Sequence, residues 1–159
     1  MGWVRLQCNW RARGAHVTAI CGAEKSEQVR ALGAGDVLAR DADILSACGA
    51  EQFDVVVDVV GGAQFGALLA VLKRGGRYAV AGAISGPLVE LDLRTLYLKD
   101  LRLLGCTVLE PAVFPNLIRL ISEGGIKPLV AETYPLSEIV AAQQAFLSKR
   151  HVGKIVLIP

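Results

Sequence analysis

The sequence predicts an α/β fold built on a doubly wound parallel sheet, and three observations carry that prediction. Two apolar runs, Phe53 to Val60 and Tyr78 to Ala83, are hydrophobic on both faces, as strands are when helices cover each side of a sheet. Between them a helix-period stretch, Phe65 to Leu72, is expected to end at Gly75-Gly76, which makes strand, crossover helix and parallel strand one βαβ unit. Strands and helices also alternate along the rest of the chain, the pattern of a doubly wound sheet with right-handed crossovers.

Ligands of such open sheets sit beyond the carboxyl ends of the strands. Here those ends are Val59-Val60-Gly61-Gly62 and Ala81-Gly82-Ala83, small residues that let a flat ligand approach the backbone. The plainer alternative is that these glycines only make tight turns. Two such ends in register favour a ligand edge.

Each remaining element has its own signal. His16 to Cys21 reads as a strand stopped by Gly22, and Glu24 to Leu32 as a helix with Val29 and Leu32 on one face and Gly33 as its stop. Asp36 to Ala39 is a short strand and Asp41 to Cys48 a short helix ended by Gly49. Leu93 to Lys99 reads as a helical turn or two, and Leu101 to Val108 as a strand. Val113 to Ser122 is a helix closed by Gly124-Gly125, with Pro115 tolerated in its first turn. Lys127 to Pro135 is extended, Ser137 is expected to N-cap a helix from Glu138 to Lys149, and Gly153-Lys154 opens a last strand, Ile155 to Ile158.

Composition narrows the classes. A chain of 159 residues forms one domain that buries roughly 70% of its unfolded surface. Its 53% hydrophobic content suits a sheet buried on both sides, and equally a chain that has lost a partner domain. The net charge of +2 comes from 17 basic and 15 acidic residues, well mixed, so no nucleic-acid footprint is visible. Every apolar stretch is interrupted before the ~18 residues of a membrane span, and Met1 to Gly14 has no secretory h-region, so a cytoplasmic protein is expected. Cys8, Cys21, Cys48 and Cys106 form no CxxC pair, and His16 and His151 lie far apart, so no zinc or other metal site is expected.

Several stretches together resemble the nucleotide-binding half of the medium-chain dehydrogenase/reductase superfamily, nearest its zinc-free quinone oxidoreductase branch within the zinc-type alcohol dehydrogenase-like enzymes. They are GAHVTAICGAEKSEQVRALGA (14–34), FDVVVDVVGG (53–62), LKRGGRYAVAGAISG (72–86), LRTLYLKDLRLLGCTV (93–108), IKPLVAETYPLSE (126–138) and HVGKIVLIP (151–159). The resemblance implies a Rossmann-type sheet over 15–126 and, over 127–159, the segment that returns to a catalytic domain. It also implies a pair of chains joined through the edge strand 101–108 into a homodimer.

The departure from the family lies at the start. The family opens this domain with a strand and a glycine-rich turn that holds the pyrophosphate, and neither stands before His16. Residues 1–14 are atypical: with suitable codons, Gly2 to Arg11 read from the third nucleotide as VGSAAVQLA, which resembles that turn and its helix. An out-of-frame stretch is therefore expected here. A sheet without its first strand exposes backbone that must be paired, so low stability and no catalysis are expected of this chain alone.

A dinucleotide site of this kind takes an acidic residue at the second strand's tip for NAD and a cation for NADP. The tip here is Cys21-Gly22, with Lys25 and Ser26 just beyond and Arg40 at the end of the next strand, so NADPH is expected in preference to NADH. Lys25 is equally readable as a solvated first-turn residue. The resemblance puts Val59, Val60 and Gly61 beside the adenosine ribose and Ala81, Gly82 and Ala83 near the nicotinamide. It sets Gly153 and Lys154 close to the cofactor, although Lys154 also reads as a strand-end charge. No residue is assigned a catalytic role: Asp58 is expected to bond neighbouring amides, and Tyr78 and Tyr97 to pack. The complete relative passes hydride from NADPH to a quinone, an activated alkene or a carbonyl, a small-molecule partner. Two other readings stand beside it: a Rossmann-like S-adenosylmethionine-dependent methyltransferase, which closes on an antiparallel pair, and a non-catalytic nucleotide-binding or dimerisation remnant.

Overall fold

The computed structural model describes residues 14–108 and 110–159. The atypical N-terminal stretch, apart from Gly14, lies outside the described residues. The chain divides into two compact units, one made of residues up to 40 together with 111–159, the other of residues 41–110.

The second unit holds a three-stranded parallel sheet in the order β3-β4-β5, from Phe53–Asp58, Leu72–Val80 and Arg102–Gly105. Its helices are Ile44–Cys48, Phe65–Ala70 and Leu93–Leu98, here α2, α3 and α4. Phe65, Leu69, Leu72, Tyr78 and Leu101 form the core, with Phe53, Val56, Leu68, Val80, Leu91 and Leu96 packed on it. Phe65 and Tyr78 meet edge to face, centroids 5.2 Å apart, the arrangement their ring quadrupoles favour. Asp43 caps α2 by accepting the Ser46 amide at 3.1 Å, and Asp92 caps α4 through the Arg94 amide at 2.9 Å.

One expectation for this unit is corrected. Gly75-Gly76 does not end the helix; α3 stops at Ala70, and both glycines lie inside β4. Phe53 pairs with Leu72 but Val55 pairs with Arg77, so residues 73–76 bulge out of the ladder. Gly75, at φ +74°, turns that bulge and its amide donates to the Lys99 carbonyl at 2.7 Å.

Among the described residues the first unit holds two parallel pairs. Thr18–Cys21 (β1) pairs with Asp36–Ala39 (β2), joined through helix α1, Ser26–Ala31, and Ala19, Val29 and Ala34 form the small core beneath them. Val130–Pro135 (β6) pairs with Lys154–Ile158 (β7), parallel rather than antiparallel as the methyltransferase alternative requires, through helix α6, Ile139–Ser148. Helix α5 spans Val113–Ser122 as expected and closes at Gly124, φ +74°, whose amide donates to the Ile121 carbonyl at 3.0 Å. Ser137 does not cap α6. It sits inside a 3₁₀ turn, Leu136–Glu138, and the helix starts from Glu138 with no side-chain cap bond. Among the described residues no helix is long and apolar enough to cross a membrane.

Candidate functional site

The predicted site residues fall in both units. In the first, Cys21 closes β1 opposite Ala39, so Arg40 follows directly at the end of the neighbouring strand. Burial pushes the Cys21 thiol above its ordinary value and Glu24 adds to that, while Arg40, Lys25 and Arg30 pull the other way. Three cations and one anion therefore share the surroundings of this strand tip. The Glu24 carboxylate folds back over the α-carbon of Gly22, where any side chain at 22 would collide with it. Lys25 donates to the Lys149 carbonyl at the C-terminal end of α6, and the Ser26 hydroxyl to the Ala23 carbonyl at 2.9 Å. Both groups named for a phosphate thus already hold backbone carbonyls, and the Lys25 bond spans 124 positions, beyond the reach of local pattern.

Gly153 and Lys154 open β7. Gly153 takes φ +116° and passes so close to Leu129 that a β-carbon would lie 2.8 Å from its carbonyl oxygen. The Lys154 amide donates to that same oxygen at 2.9 Å.

In the second unit Val59-Val60-Gly61 and Ala81-Gly82-Ala83 do come together, at the carboxyl ends of the adjacent strands β3 and β4. The Ser85 amide donates to the Val60 carbonyl at 2.8 Å. A β-carbon on Gly61, φ +66°, would lie 2.7 Å from the Gly86 carbonyl, and one on Gly82 would lie 2.9 Å from the Val59 carbonyl. Both glycines are thus required by the two strand ends packing on each other. Ala81 and Ala83 are left exposed as methyls on a backbone surface. No side chain larger than a methyl projects from 81–83.

Beneath this edge lies a pair that sequence reasoning undervalued. Asp58 is 2% exposed and accepts from the Val60 amide at 2.7 Å and the Gly61 amide at 3.1 Å, as expected of it. It also accepts from the Tyr78 hydroxyl, so Tyr78 is more than a packing residue. Burial, then the bond to Asp58, holds that hydroxyl's pKa well above the ordinary 10.0. The register explains the contact: Asp58 pairs with Val80, which puts Tyr78 two residues back on the same face. Among the described residues no group of three or more His, Cys, Asp or Glu is placed to hold a metal ion.

Comparison with known proteins now gives this geometry a family. The family model described as zinc-binding dehydrogenase matches residues 32–157. The chain is 34% identical to an acryloyl-coenzyme A reductase of Metallosphaera sedula, over 67% of this chain and 32% of that protein. It superposes on the crystal structure of a putative alcohol dehydrogenase from Sinorhizobium meliloti with TM-score 0.88 at 43% identity, covering 98% of this chain and 45% of that one. A mycobacterial protein complexed with NADPH superposes with TM-score 0.79 at 26% identity, covering 98% of this chain and 52% of that one. The chain spans 24% to 47% of the lengths of the curated relatives it matches. These matches, with the parallel sheets described above, show a Rossmann-like α/β fold like that of the cofactor-binding domain in alcohol dehydrogenase-like structures. The chain belongs to the zinc-binding dehydrogenase family, within the medium-chain dehydrogenase/reductase superfamily, and carries its cofactor-binding part.

Proposed function

We propose that this chain is the NADP(H)-binding part of a zinc-independent oxidoreductase that passes hydride to an activated alkene or a quinone. The backbone edge at the carboxyl ends of β3 and β4, small-residued at Ala81, Gly82 and Ala83, is the observation that carries the reading. When bound, the nicotinamide supplies the hydride chemistry, and this chain's residues bind and orient it. Arg40, Lys25 and Arg30 around the tip of β1 favour a 2′-phosphate and hence NADP(H), while Glu24 opposes it. The acceptor class takes its support from the acryloyl-coenzyme A reductase relative, whose name states an activated alkene. In this reading residues 15–126 serve the cofactor and 127–159 belong to the catalytic part of the whole enzyme. The isolated chain then binds cofactor without turnover, as a homodimer joined through the 101–108 edge.

Titration of the purified chain with NADPH and NADH, followed by nicotinamide fluorescence, tests the reading, with S-adenosylmethionine titrated by calorimetry. Saturable binding of NADPH, weaker binding of NADH and none of S-adenosylmethionine is expected. Binding of S-adenosylmethionine alone would overturn the oxidoreductase assignment, and binding of neither nicotinamide would leave a remnant that keeps the fold without the ligand.

A further inference from the structure

We propose that Asp58 is a positioning residue that joins the two strand-end turns into one preformed cofactor edge, a role that rests on the nicotinamide reading above. Asp58 is the last residue of β3 and is 2% exposed. Its Oδ1 accepts from the Val60 amide at 2.7 Å and the Gly61 amide at 3.1 Å, and its Oδ2 from the Gly61 amide at 3.1 Å and from the Tyr78 hydroxyl. A carboxylate this deep is costly unless its oxygens are satisfied, so the turn at 60–61 and the burial of Asp58 stand or fall together.

Both routes out of this carboxylate end at the proposed site. Through Val60 and Gly61 it fixes the first turn. The Val60 carbonyl then accepts from the Ser85 amide at 2.8 Å, and the α-carbon of Gly61 lies against the Gly86 carbonyl and Ala83. Through Tyr78 it holds β4, whose end carries Ala81, and the Ala81 amide in turn donates to the Asp58 carbonyl at 2.8 Å. One buried anion thus sets the shape of both stretches before any ligand arrives. An edge ordered in advance avoids paying that ordering on binding. Neither oxygen needs to touch the cofactor for this.

Asp58→Asn keeps the volume but replaces one acceptor with a donor, which opposes the Val60 and Gly61 amides at the Oδ1 position and the Gly61 amide at the Oδ2 position, where the Tyr78 hydroxyl turns to accept. Tyr78→Phe removes one donor and leaves both turn amides bonded. In the full chain, Asp58→Asn is expected to lose tenfold or more in NADPH affinity, with a retained cooperative melt and moved amide resonances of Val60, Gly61 and Ser85. Tyr78→Phe, which cuts only the route to β4, is expected to lose less than Asp58→Asn, about threefold. An Asp58→Asn protein that binds like the parent would overturn the proposal. So would resonances moved across the whole sheet, which mark a general loss of structure. Should Asp58→Asn not fold, amide exchange in the parent decides: Val60, Gly61 and Ser85 exchanging together and as slowly as Val56 and Ala79 supports the linked turns, and fast exchange at any of the three overturns them. If the parent binds no nicotinamide, the functional reading fails by itself, while the exchange measurement still decides the linkage.

Discussion

Tyr78 and Asp58 show how one side chain can tie stability to pH. The Tyr78 hydroxyl is buried beside a carboxylate, and both features disfavour the phenolate. Its folded pKa therefore exceeds the ordinary 10.0 of the unfolded chain, so the native state holds its proton longer as pH rises. The stabilisation is fully present below pH 10.0 and is lost progressively as pH climbs from there toward the folded value. The urea midpoint of the parent is expected to fall more steeply than that of Tyr78→Phe above pH 10. Parallel curves between about pH 9 and 11.5 would show that this hydroxyl titrates normally. At the same scale Arg40 tests the cofactor preference: Arg40→Ala is expected to weaken NADPH binding by about tenfold, roughly 1.4 kcal/mol, and to leave NADH nearly unchanged. Equal losses for both nicotinamides would mean that Arg40 meets no 2′-phosphate.

At the scale of elements, turns decide what the helices and strands can do. Gly61 holds φ +66° and ψ −158°, a region open essentially to glycine, with no room for a methyl beside the Gly86 carbonyl. Gly61→Ala is expected to cost about 1–3 kcal/mol in a urea titration, because backbone strain and a backbone clash act together. Ser137 makes the opposite case. Its place inside a 3₁₀ turn leaves it no capping bond, so Ser137→Ala is expected to change stability by less than about 0.5 kcal/mol. A loss of about 1 kcal/mol would restore it as a cap. These two positions also mark where the sequence was legible. The apolar runs located β3 and the Tyr78–Val80 end of β4, and the helical period located α3, because hydrophobic patterning is written in composition. The Gly75-Gly76 pair misled because the same two residues serve a helix stop or a bulge, and only the register against Phe53 and Val55 separates them. The Leu136–Glu138 turn was missed because a serine ahead of a helix looks alike whether or not the chain tightens first.

At the scale of the molecule, the parallel order of the strands was readable from the alternation of elements, and of the twelve predicted cofactor positions the small-residue strand ends and the polar tip of β1 came from local pattern, while Gly153 and Lys154 came from resemblance. Their bonding was not readable, since the Asp58–Tyr78 and Lys25–Lys149 contacts join residues 20 and 124 positions apart. Assembly poses the same problem, and β5 allows a direct test of it. This strand ends the three-stranded sheet, all four of its residues are exposed, and Leu103 and Leu104 add apolar surface to an open edge. The Cys106 amide donates to the Val80 carbonyl at 2.8 Å, so the alternation of a parallel strand turns the Leu104 amide toward β4 as well and leaves the amides of Leu103 and Gly105 facing outward. Leu103→Pro removes an outward donor and spares the ladder to β4, whereas Leu104→Pro breaks that ladder. Sedimentation equilibrium of the parent is expected to give twice the chain mass of 16.9 kDa, and Leu103→Pro the single chain with its melting midpoint nearly kept. Leu104→Pro is expected instead to lower the midpoint. A parent that sediments as one chain would overturn the dimer, and a Leu103→Pro variant that remains paired would move the interface away from this edge.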